Sequence, residues 1–428
     1  MSVARKAIIA GAGLSGLTAA RALQRAGHDA IIFEASDGVG GRVRTDIIDG
    51  YQLDRGFQVM FTAYPALKEE LDYEKLNLHD FEPGAMILFE GKKHILVDPI
   101  RVPARILQGA FSSLLSVRDK LKTVRLTRHL SKMSVEDIFK MQDSTMSAYL
   151  LDFGFSMNYL ERFIRPFYGS IFLERELDTS VRMFAFVFKM LAEGQTVVPE
   201  KGMGELGKQL AEGLKPDTLH LNSPVQELVR RGGRVVGVRL EDGTFLEADG
   251  VILATEADSA AQLAGRELSV EWRSSTELSF AMPEPLHAEK LITLFADKNT
   301  LVNSAAAISN VAPSYSPTGK HLLSATIITD CDPSTQLEKR VVDYFKTQFP
   351  KANPESWTLL RICKVKKAQF AQPVGIWSRI SKSSVAQPGL FFAGEFSSSS
   401  SLNGAIIAGK QAAQEFIEEF VPSNRVSV

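Results

Sequence analysis

The sequence predicts an α/β fold whose first domain is a doubly wound, mostly parallel sheet, and three observations support that class. An apolar run at 7–10 leads into a glycine-rich turn, a helix-like segment and a second apolar run at 30–33. Two further apolar runs, 250–255 and 389–395, lie far along the chain and are typical of buried parallel strands. Strands that alternate with a helix in this way form βαβ units.

The first βαβ unit carries a motif typical of dinucleotide binding, GxGxxG at 11–16. Its first glycine permits a tight turn, its second lets a pyrophosphate approach the backbone, and its third allows the helix to pack closely on the sheet. The helix predicted at 17–26 directs free N–H groups and a positive dipole end at the phosphates. The acid that ends the second strand can accept hydrogen bonds from a ribose. The predicted site here comprises Gly11, Gly13, Leu14, Ser15, Gly16, Glu34 and Ala35.

An arginine close to this motif extends the predicted site. Gly41 and Arg42 follow soon after Glu34. A guanidinium there can reach a pyrophosphate or a flavin edge through a charge-assisted hydrogen bond. Simple nicotinamide dehydrogenases do not need such a group, so the arginine favours a flavin dinucleotide. The alternative is a Gly-Gly turn with solvated arginines.

The C-terminal part of the chain is predicted to return to the same site. Residues 389–395 form a strand that ends in Gly394-Glu395, a serine run follows, and a helix is predicted from 402 to about 420. Glu395 suits a ribitol hydroxyl. Backbone N–H groups at the start of the helix suit a carbonyl edge that gains negative charge when a flavin is reduced, and they belong to Asn403, Gly404 and Ala405.

A segment in the middle of the chain fits the same domain. A hairpin with its turn at Gly232-Gly233 precedes the buried strand 250–255. The backbone of Val225, where the hairpin begins, can cover an adenine, and Thr255 ends the buried strand.

Together these segments resemble the flavin-containing amine oxidoreductase superfamily, and most closely its bacterial desaturase-like FAD-dependent oxidoreductases. The superfamily includes monoamine and polyamine oxidases, protoporphyrinogen oxidase, and phytoene and carotene desaturases and isomerases. The resemblance implies FAD and a Rossmann-like FAD domain made of residues 1–65, 197–265 and 385–428. It also implies an interleaved α+β substrate domain made of residues 66–196 and 266–384.

The resemblance also brings residues 54–58 close to the flavin, which adds Gly56, Phe57 and Gln58 to the predicted cofactor site. The alternative is a turn between strands with Asp54 and Arg55 as a surface pair.

A second GxGxxG motif, at 202–207, is predicted to be structural. The apolar run before it is short and contains Pro199, and no strand with a terminal acid follows about 20 residues later. We therefore expect a turn that opens a helix and an external electron acceptor, either O2 or a quinone.

Two stretches of the substrate domain indicate its chemistry. Residues 153–188 contain ten aromatic residues, whose helical spacing favours a core position. The alternative is a tunnel for a long apolar substrate. Residues 101–132 form a basic amphipathic segment with Asp119 as its one acid. It is either an ordinary surface helix or a peripheral contact with a membrane.

Features that the resemblance associates with amine oxidation are incomplete. A cage tyrosine is replaced by Ser401 or Leu402, and its partner would be Phe370 or Trp377. An aromatic cage attracts an amine through the ring faces, so its absence counts against amines. Lys290 is the weak candidate for the lysine that such oxidases place near the flavin.

The sequence leaves four functions open. The first is desaturation or isomerisation of an apolar polyene or isoprenoid, with hydride transfer to FAD. The second is oxidation of an amine or amino acid to an imine and H2O2. The third is a protoporphyrinogen-type oxidation, and the fourth is flavin binding without turnover. Cys363 lies where monoamine oxidases attach FAD, but its surroundings lack their motif, so we expect FAD to be non-covalent.

Composition and charge narrow the remaining classes. The chain has 428 residues, 45% of them hydrophobic, and its 49 Lys and Arg nearly balance 50 Asp and Glu. It can therefore bury a large core, and a nucleic-acid partner is not expected because phosphate binding needs a positive field. Cys331 and Cys363 have no metal-ligand spacing, so we expect no metal, no disulfide framework and a cytoplasmic location. We expect neither a membrane-spanning run nor a signal peptide.

Overall fold

The structure, a computed structural model, describes residues 3–98, 101, 114–268, 270–380 and 383–420. Its strands are β1 (Lys6–Ala10), β2 (Asp29–Phe33), β3 (Thr45–Ile48), β4 (Tyr51–Asp54), β5 (Met60–Phe61), β6 (Leu78–Asp80), β7 (Gly84–Phe89), β8 (Lys92–Val97), β9 (Thr196–Pro199), β10 (Leu219–His220), β11 (Val225–Arg231), β12 (Arg234–Leu240), β13 (Phe245–Glu247), β14 (Gly250–Leu253), β15 (Trp272–Met282), β16 (Ile292–Phe295), β17 (Ser304–Ala306), β18 (His321–Ile327), β19 (Thr358–Phe370), β20 (Val385–Gln387) and β21 (Leu390–Phe392).

The helices include one π-helical stretch, Leu160–Ile164, which joins two α-helices. The α-helices span Leu14–Arg25, Pro65–Glu70, Tyr73–Leu76, Val117–Ser131, Val135–Lys140, Met146–Asp152, Met157–Tyr159, Arg165–Phe172, Val181–Glu193, Glu205–Glu212, Ala257–Ala264, Ile308–Val311, Thr335–Gln348, Ile376–Arg379 and Leu402–Glu419.

A six-stranded sheet confirms the predicted α/β class. Its strand order is β10-β2-β1-β14-β21-β20, and every pairing is parallel except that of the edge strand β20. Apart from Lys6 at the start of β1, the central strands β1, β14 and β21 contain only glycine and apolar residues, because helices or a second sheet cover both faces. Its strands come from the start, the middle and the end of the chain, while the limits of the two domains stay predictions.

The two faces of this sheet are covered differently. Helices Leu14–Arg25 and Leu402–Glu419 cover one face. They approach each other so closely that a Cβ at Gly409 would overlap the carbonyl oxygen of Ser15. Helix Ala257–Ala264 and the small sheet β11-β12-β13 cover the other face. The turn between β1 and the first helix is therefore held in place from both sides.

A seven-stranded sheet forms the second architectural unit, in the order β19-β15-β18-β17-β16-β7-β8. One face packs on helix Thr335–Gln348 through a separate apolar core. The other face meets the aromatic-rich helices between residues 114 and 193. Together with the six-stranded sheet, this layer encloses a large cavity.

Residues 305–317 contain regular structure, although the two prolines of this stretch favour a loop. Its first residues complete β17, which pairs with both β16 and β18, and helix Ile308–Val311 follows. The sequence does not indicate this strand because alanine has a low β propensity. In the fold, pairing with a strand on each side outweighs that preference.

Candidate active site

One cavity of about 1460 Å³ lies between the two sheets. It is larger than the 300–1,000 Å³ usual for a drug-sized ligand, so it has room for a dinucleotide and a substrate together. One half, the nucleotide half, is lined by the first glycine motif and the ends of the parallel strands. The other, the apolar arm, runs between the aromatic helices and the seven-stranded sheet.

The glycine motif forms a cradle that fits a pyrophosphate. Gly11 has φ +103°, and a Cβ there would lie 2.8 Å from the carbonyl oxygen of Ala254. A Cβ at Gly16 would overlap the carbonyl oxygen of Gly11, so these two glycines are required by packing. At Gly13, by contrast, an added Cβ meets nothing within 4 Å. That open position faces the cavity at the N-terminus of helix Leu14–Arg25, whose first N–H groups have no partners within the helix.

Glu34 is held beside this cradle by two backbone hydrogen bonds. Its carboxylate accepts from the N–H of Ala12 at 2.6 Å and from the N–H of Ser36 at 2.9 Å. Both Glu34 and Ala35 line the cavity. A carboxylate fixed at the end of the second strand is placed to bind the hydroxyls of a ribose.

Arg42 and Glu395 form the main charged group of the nucleotide half. One guanidinium nitrogen donates to the carboxylate of Glu395, and another donates to the carbonyl oxygens of Lys367 and Ala368 at 3.2 and 2.9 Å. The second carboxylate oxygen of Glu395 accepts from the Ser400 hydroxyl at 2.9 Å. This network joins the N-terminal segment, strand β19 and the C-terminal serine run at the cavity wall.

The segment Gly56-Phe57-Gln58 also lines the cavity. The side-chain amide of Gln58 donates to the carbonyl oxygens of Arg42 and Arg55 at 2.9 and 3.0 Å. These hydrogen bonds fix the segment against residues 40–44, the arginine loop. These contacts hold the segment at the cavity wall, and its position beside a flavin stays a prediction.

The alternative of a surface Asp54–Arg55 pair is wrong. Arg55 pairs with Asp46, whereas Asp54 is buried and accepts from the Thr45 hydroxyl, the Met203 N–H and the Tyr315 hydroxyl. Burial raises the pKa of Asp54 to about 6, although these hydrogen bonds oppose the shift. Asp54 therefore ties together the segments behind the cradle.

The predicted cofactor-binding residues line the cavity except Gly16, Asn403 and Gly404. Gly16 packs helix against sheet, and a Cβ at Gly404 would overlap Ser399. The buried amide of Asn403 accepts from the N–H of Ala66 at 3.0 Å and so orients helix Pro65–Glu70. These three residues support the site from behind, while Val225, Thr255, Gly394 and Ala405 lie at its wall.

Several lining residues escaped prediction because they belong to no motif. The nucleotide half also includes Ser36, Gly40, Pro224, Gln226, Glu241, Ala254, Glu256, Ser259 and Gln262. Gln226 and Glu256 directly follow the predicted residues Val225 and Thr255. Their places near the ends of strands β11 and β14 could therefore have indicated them. The others lie on neighbouring elements that the fold brings alongside.

The apolar arm settles the dual interpretation of the aromatic-rich stretch. Of its ten aromatic residues, those that line the cavity are Tyr159, Phe163, Phe167, Tyr168, Phe172 and Phe188, while the others pack elsewhere. Stacked contacts continue along this wall, with 5.5 Å between the rings of Phe163 and Phe167. The stretch therefore serves both as core and as cavity wall.

The candidates for amine chemistry lie away from the cavity. The side chain of Lys290 is exposed, and the residue is not among those that line the cavity, so it is a poor candidate for a flavin partner. Phe370 is buried away from the cavity, and Trp377 packs on Phe139 and donates to the Ser180 hydroxyl. Cys363 is an unpaired residue of strand β19 that does not line the cavity.

The second glycine motif has the structural role that the sequence predicts. A Cβ at Gly207 would lie 2.7 Å from the Cα of Gly40, and one at Gly204 would lie 2.9 Å from the Thr45 nitrogen. The motif thus packs against the back of the arginine loop, and its second half forms the start of helix Glu205–Glu212. It supports the cradle instead of forming a second one.

The described residues offer neither a metal site nor a membrane-spanning helix. Within the ranges that the structure covers, no group of histidine, cysteine, aspartate and glutamate side chains is arranged to hold a metal ion. None of the helices in those ranges is long and apolar enough to cross a membrane.

Known proteins resemble this chain along its whole length. The zeta-carotene desaturase of Synechocystis is 24% identical, with 96% of each chain covered. The structure of a putative protoporphyrinogen oxidase from Exiguobacterium superposes with a TM-score of 0.75 at 20% identity, covering 98% of this chain and all of that one. The structure of putrescine oxidase bound to putrescine gives a TM-score of 0.71 at 18% identity, covering 98% of this chain and all of that one.

At these identities the two structures show the fold alone. The sequence profile of flavin-containing amine oxidoreductases, however, matches residues 14–417. The cradle, the fixed carboxylate of Glu34 and the Arg42–Glu395 pair fit the FAD-type cofactor of these enzymes. The chain therefore belongs to the flavin-containing amine oxidoreductase family and is an oxidoreductase, as its motifs predict.

Proposed function

We propose that this oxidoreductase desaturates an apolar polyene or isoprenoid: a hydride is lost from one C–H bond and a proton from the adjacent carbon, and a C=C bond forms between the two carbons. In an isomerisation, the alternative within this class, the hydride would return to the substrate. The observation that carries the proposal is the apolar arm, which joins the nucleotide half and is lined by six aromatic residues of one helical region. An elongated apolar substrate would bury its surface there at about 25 cal/mol per Å². The whole-length similarity to a zeta-carotene desaturase supports the same class.

The residues of the chain have separate tasks in this proposal. The glycine cradle and Glu34 bind and orient the cofactor, and the Arg42–Glu395 pair holds the segments that face it. Bound FAD supplies the hydride acceptor. The aromatic walls exclude water from the reacting C–H bond.

The state of the cofactor and its reoxidation are part of the proposal. We propose non-covalent FAD, because Cys363 does not line the cavity. The second glycine motif packs against the arginine loop, so an external acceptor, O2 or a quinone, takes the electrons. The unpaired Cys331 and Cys363 support a reducing, cytoplasmic location.

Amine oxidation is the second candidate, and the likeness in fold to putrescine oxidase is the observation in its favour. The positions of Lys290, Phe370 and Trp377 away from the cavity count against it. A protoporphyrinogen-type oxidation also suits a wide apolar cavity and shares a fold with this chain.

An anaerobic reduction experiment tests the proposal. The purified yellow protein is mixed with detergent-solubilised carotenes, with primary and secondary amines and with protoporphyrinogen, while the visible flavin band is recorded. Bleaching by a carotene alone is expected. Bleaching by amines, with H2O2 formed when air is admitted, would overturn the proposal and establish an amine oxidase.

A pair of variants locates the substrate in the apolar arm. Phe167 lines the cavity, whereas Phe153 is a half-buried phenylalanine of the same region that does not. Phe167→Leu is expected to weaken carotene binding about 5- to 10-fold, because an aromatic contact of roughly 1 kcal/mol is lost. Phe153→Leu should leave binding within twofold of the parent. Equal effects of the two substitutions would contradict the assignment.

A further inference from the structure

Helix Val117–Ser131 presents two apolar side chains to solvent at the mouth of the apolar arm. Val117 is 70% exposed and Leu121 is 67% exposed, and both also line the cavity. Their spacing of four residues places them on one face, one turn apart. Exposing two large aliphatic side chains side by side is unfavourable in water, which indicates a surface that is covered when the protein works.

The acidic side chain of this helix is buried, whereas three of its basic side chains are exposed. Asp119, its one acid, is buried at the N-terminus and accepts hydrogen bonds from the hydroxyls of Ser116 and Ser156 at 2.6 and 2.7 Å. The exposed side carries Arg118, Arg125 and Arg128. In the described part of the chain, no carboxylate pairs with these three guanidinium groups. The outward face is therefore apolar and positive, with no negative charge.

The cavity opens along the same face. Val124 and Arg128 follow Leu121 on this side of the helix, and both line the cavity. A molecule that leaves the covering surface would pass from the exposed aliphatic pair directly to the apolar arm. The covering surface must therefore attract guanidinium groups and also accept aliphatic side chains.

We propose that this face docks on the surface of an anionic lipid bilayer. Helices that lie in a membrane interface combine an apolar stripe with Lys and Arg, and anionic headgroups attract each cation. The docked orientation would direct the mouth of the apolar arm into the acyl region. Residues 102–113, the other part of the basic segment predicted from the sequence, lie outside the described residues, and the proposal rests on residues 114–131 alone.

Vesicle co-sedimentation of the full-length yellow protein tests this inference, whatever the substrate is. Vesicles of phosphatidylcholine alone are compared with vesicles that contain 30% phosphatidylglycerol. The expected result is at least tenfold tighter binding to the anionic vesicles, lost in 0.5 M NaCl because salt screens exposed charges. No sedimentation with either vesicle, or equal binding to both, would overturn the proposal.

Matched variants separate this face from the rest of the surface. Arg118→Gln with Arg125→Gln should weaken binding about fivefold per charge removed, and Leu121→Gln should weaken it further. The controls are Lys339→Gln with Arg340→Gln and Ile47→Gln, which alter exposed residues elsewhere. Equal losses in both sets would overturn the proposal. So would a dimer that Leu121→Gln dissociates without any vesicle binding, since the face would then be a protein interface. Thermal melting and the FAD-to-protein ratio report whether each variant is folded.

Discussion

The two halves of the cavity are lined by different chemical groups of the chain. In the nucleotide half, backbone groups and glycines form the wall, and an added Cβ at Gly11 or Gly16 would meet a carbonyl oxygen. In the apolar arm, side chains form the wall, with lining rings that stack at 5.5 and 6.1 Å between centroids. A backbone wall tolerates little change, whereas a wall of side chains can change shape through substitution.

This difference explains why the cofactor is easier to assign than the substrate. A pyrophosphate needs N–H groups and a close approach, which only glycines at certain positions allow. An apolar substrate needs only volume and apolar surface, which many combinations of side chains supply. Three predictions, taken in decreasing order of effect, test how far this contrast extends.

Filling the open position of the cradle should abolish cofactor binding but leave the fold in place. Gly13 has extended backbone, and a Cβ there contacts nothing. Gly13→Val should weaken FAD binding more than about 100-fold, because several phosphate hydrogen bonds of roughly 1 kcal/mol or more are lost. Equilibrium dialysis against FAD measures the effect.

The control for this substitution is Gly213→Ala. Gly213 is exposed and ends helix Glu205–Glu212, and its neighbour is the flexible end of the Arg21 side chain. FAD binding should stay within twofold of the parent. If Gly13→Val still bound FAD tightly, the cradle would not be the phosphate site.

The buried carboxylate behind the nucleotide half should make stability depend on pH. The folded-state pKa of Asp54 is about 6, above its ordinary value of 3.8, so the unfolded chain ionises first as pH rises. The native state therefore loses stability between about pH 4 and pH 6. Asp54→Asn should gain on the order of 2–3 kcal/mol relative to the parent between pH 4 and pH 7. Urea unfolding at several pH values measures this.

Asp46→Asn should change the pH dependence of stability in the opposite direction. The hydrogen bond from Arg55 lowers the pKa of Asp46, so its contribution to stability is present at neutral pH and lost as pH falls. The free energy of unfolding that this variant loses relative to the parent should therefore become smaller as pH falls. Parallel pH profiles for the two variants would contradict the assignment of Asp54 as a carboxyl group that is costly to ionise.

Removing the arginine of the charged network should give the smallest of the three effects. Arg42→Met leaves the carboxylate of Glu395 without its guanidinium partner and frees two carbonyl oxygens. We expect a loss of about 2 kcal/mol in the free energy of unfolding. Glu395→Gln in the same background should recover part of it, since the unpaired charge is then gone. Additive losses in this double-mutant cycle would show that the pair is not coupled.

The sequence predicted most of the nucleotide half because its chemistry depends on residue type at fixed spacing. Gly11, Gly13 and Glu34 could be assigned from one βαβ unit. Asn403 was assigned to the cofactor, but its amide binds the backbone of Ala66, 337 residues away. A helix start looks the same in sequence whether its polar side chain faces a ligand or a neighbouring helix.

The α/β class, the cofactor motif and the family could be predicted from the sequence alone, since they follow from local periodicity and from glycines with strict steric roles. Tertiary structure decided the burial of Asp54, the exposure of Lys290 and the division of the ten aromatic residues between core and cavity wall. The physical reason is that burial and pKa depend on what packs against a side chain. For Asp54 those neighbours, Thr45, Met203 and Tyr315, come from distant parts of the chain.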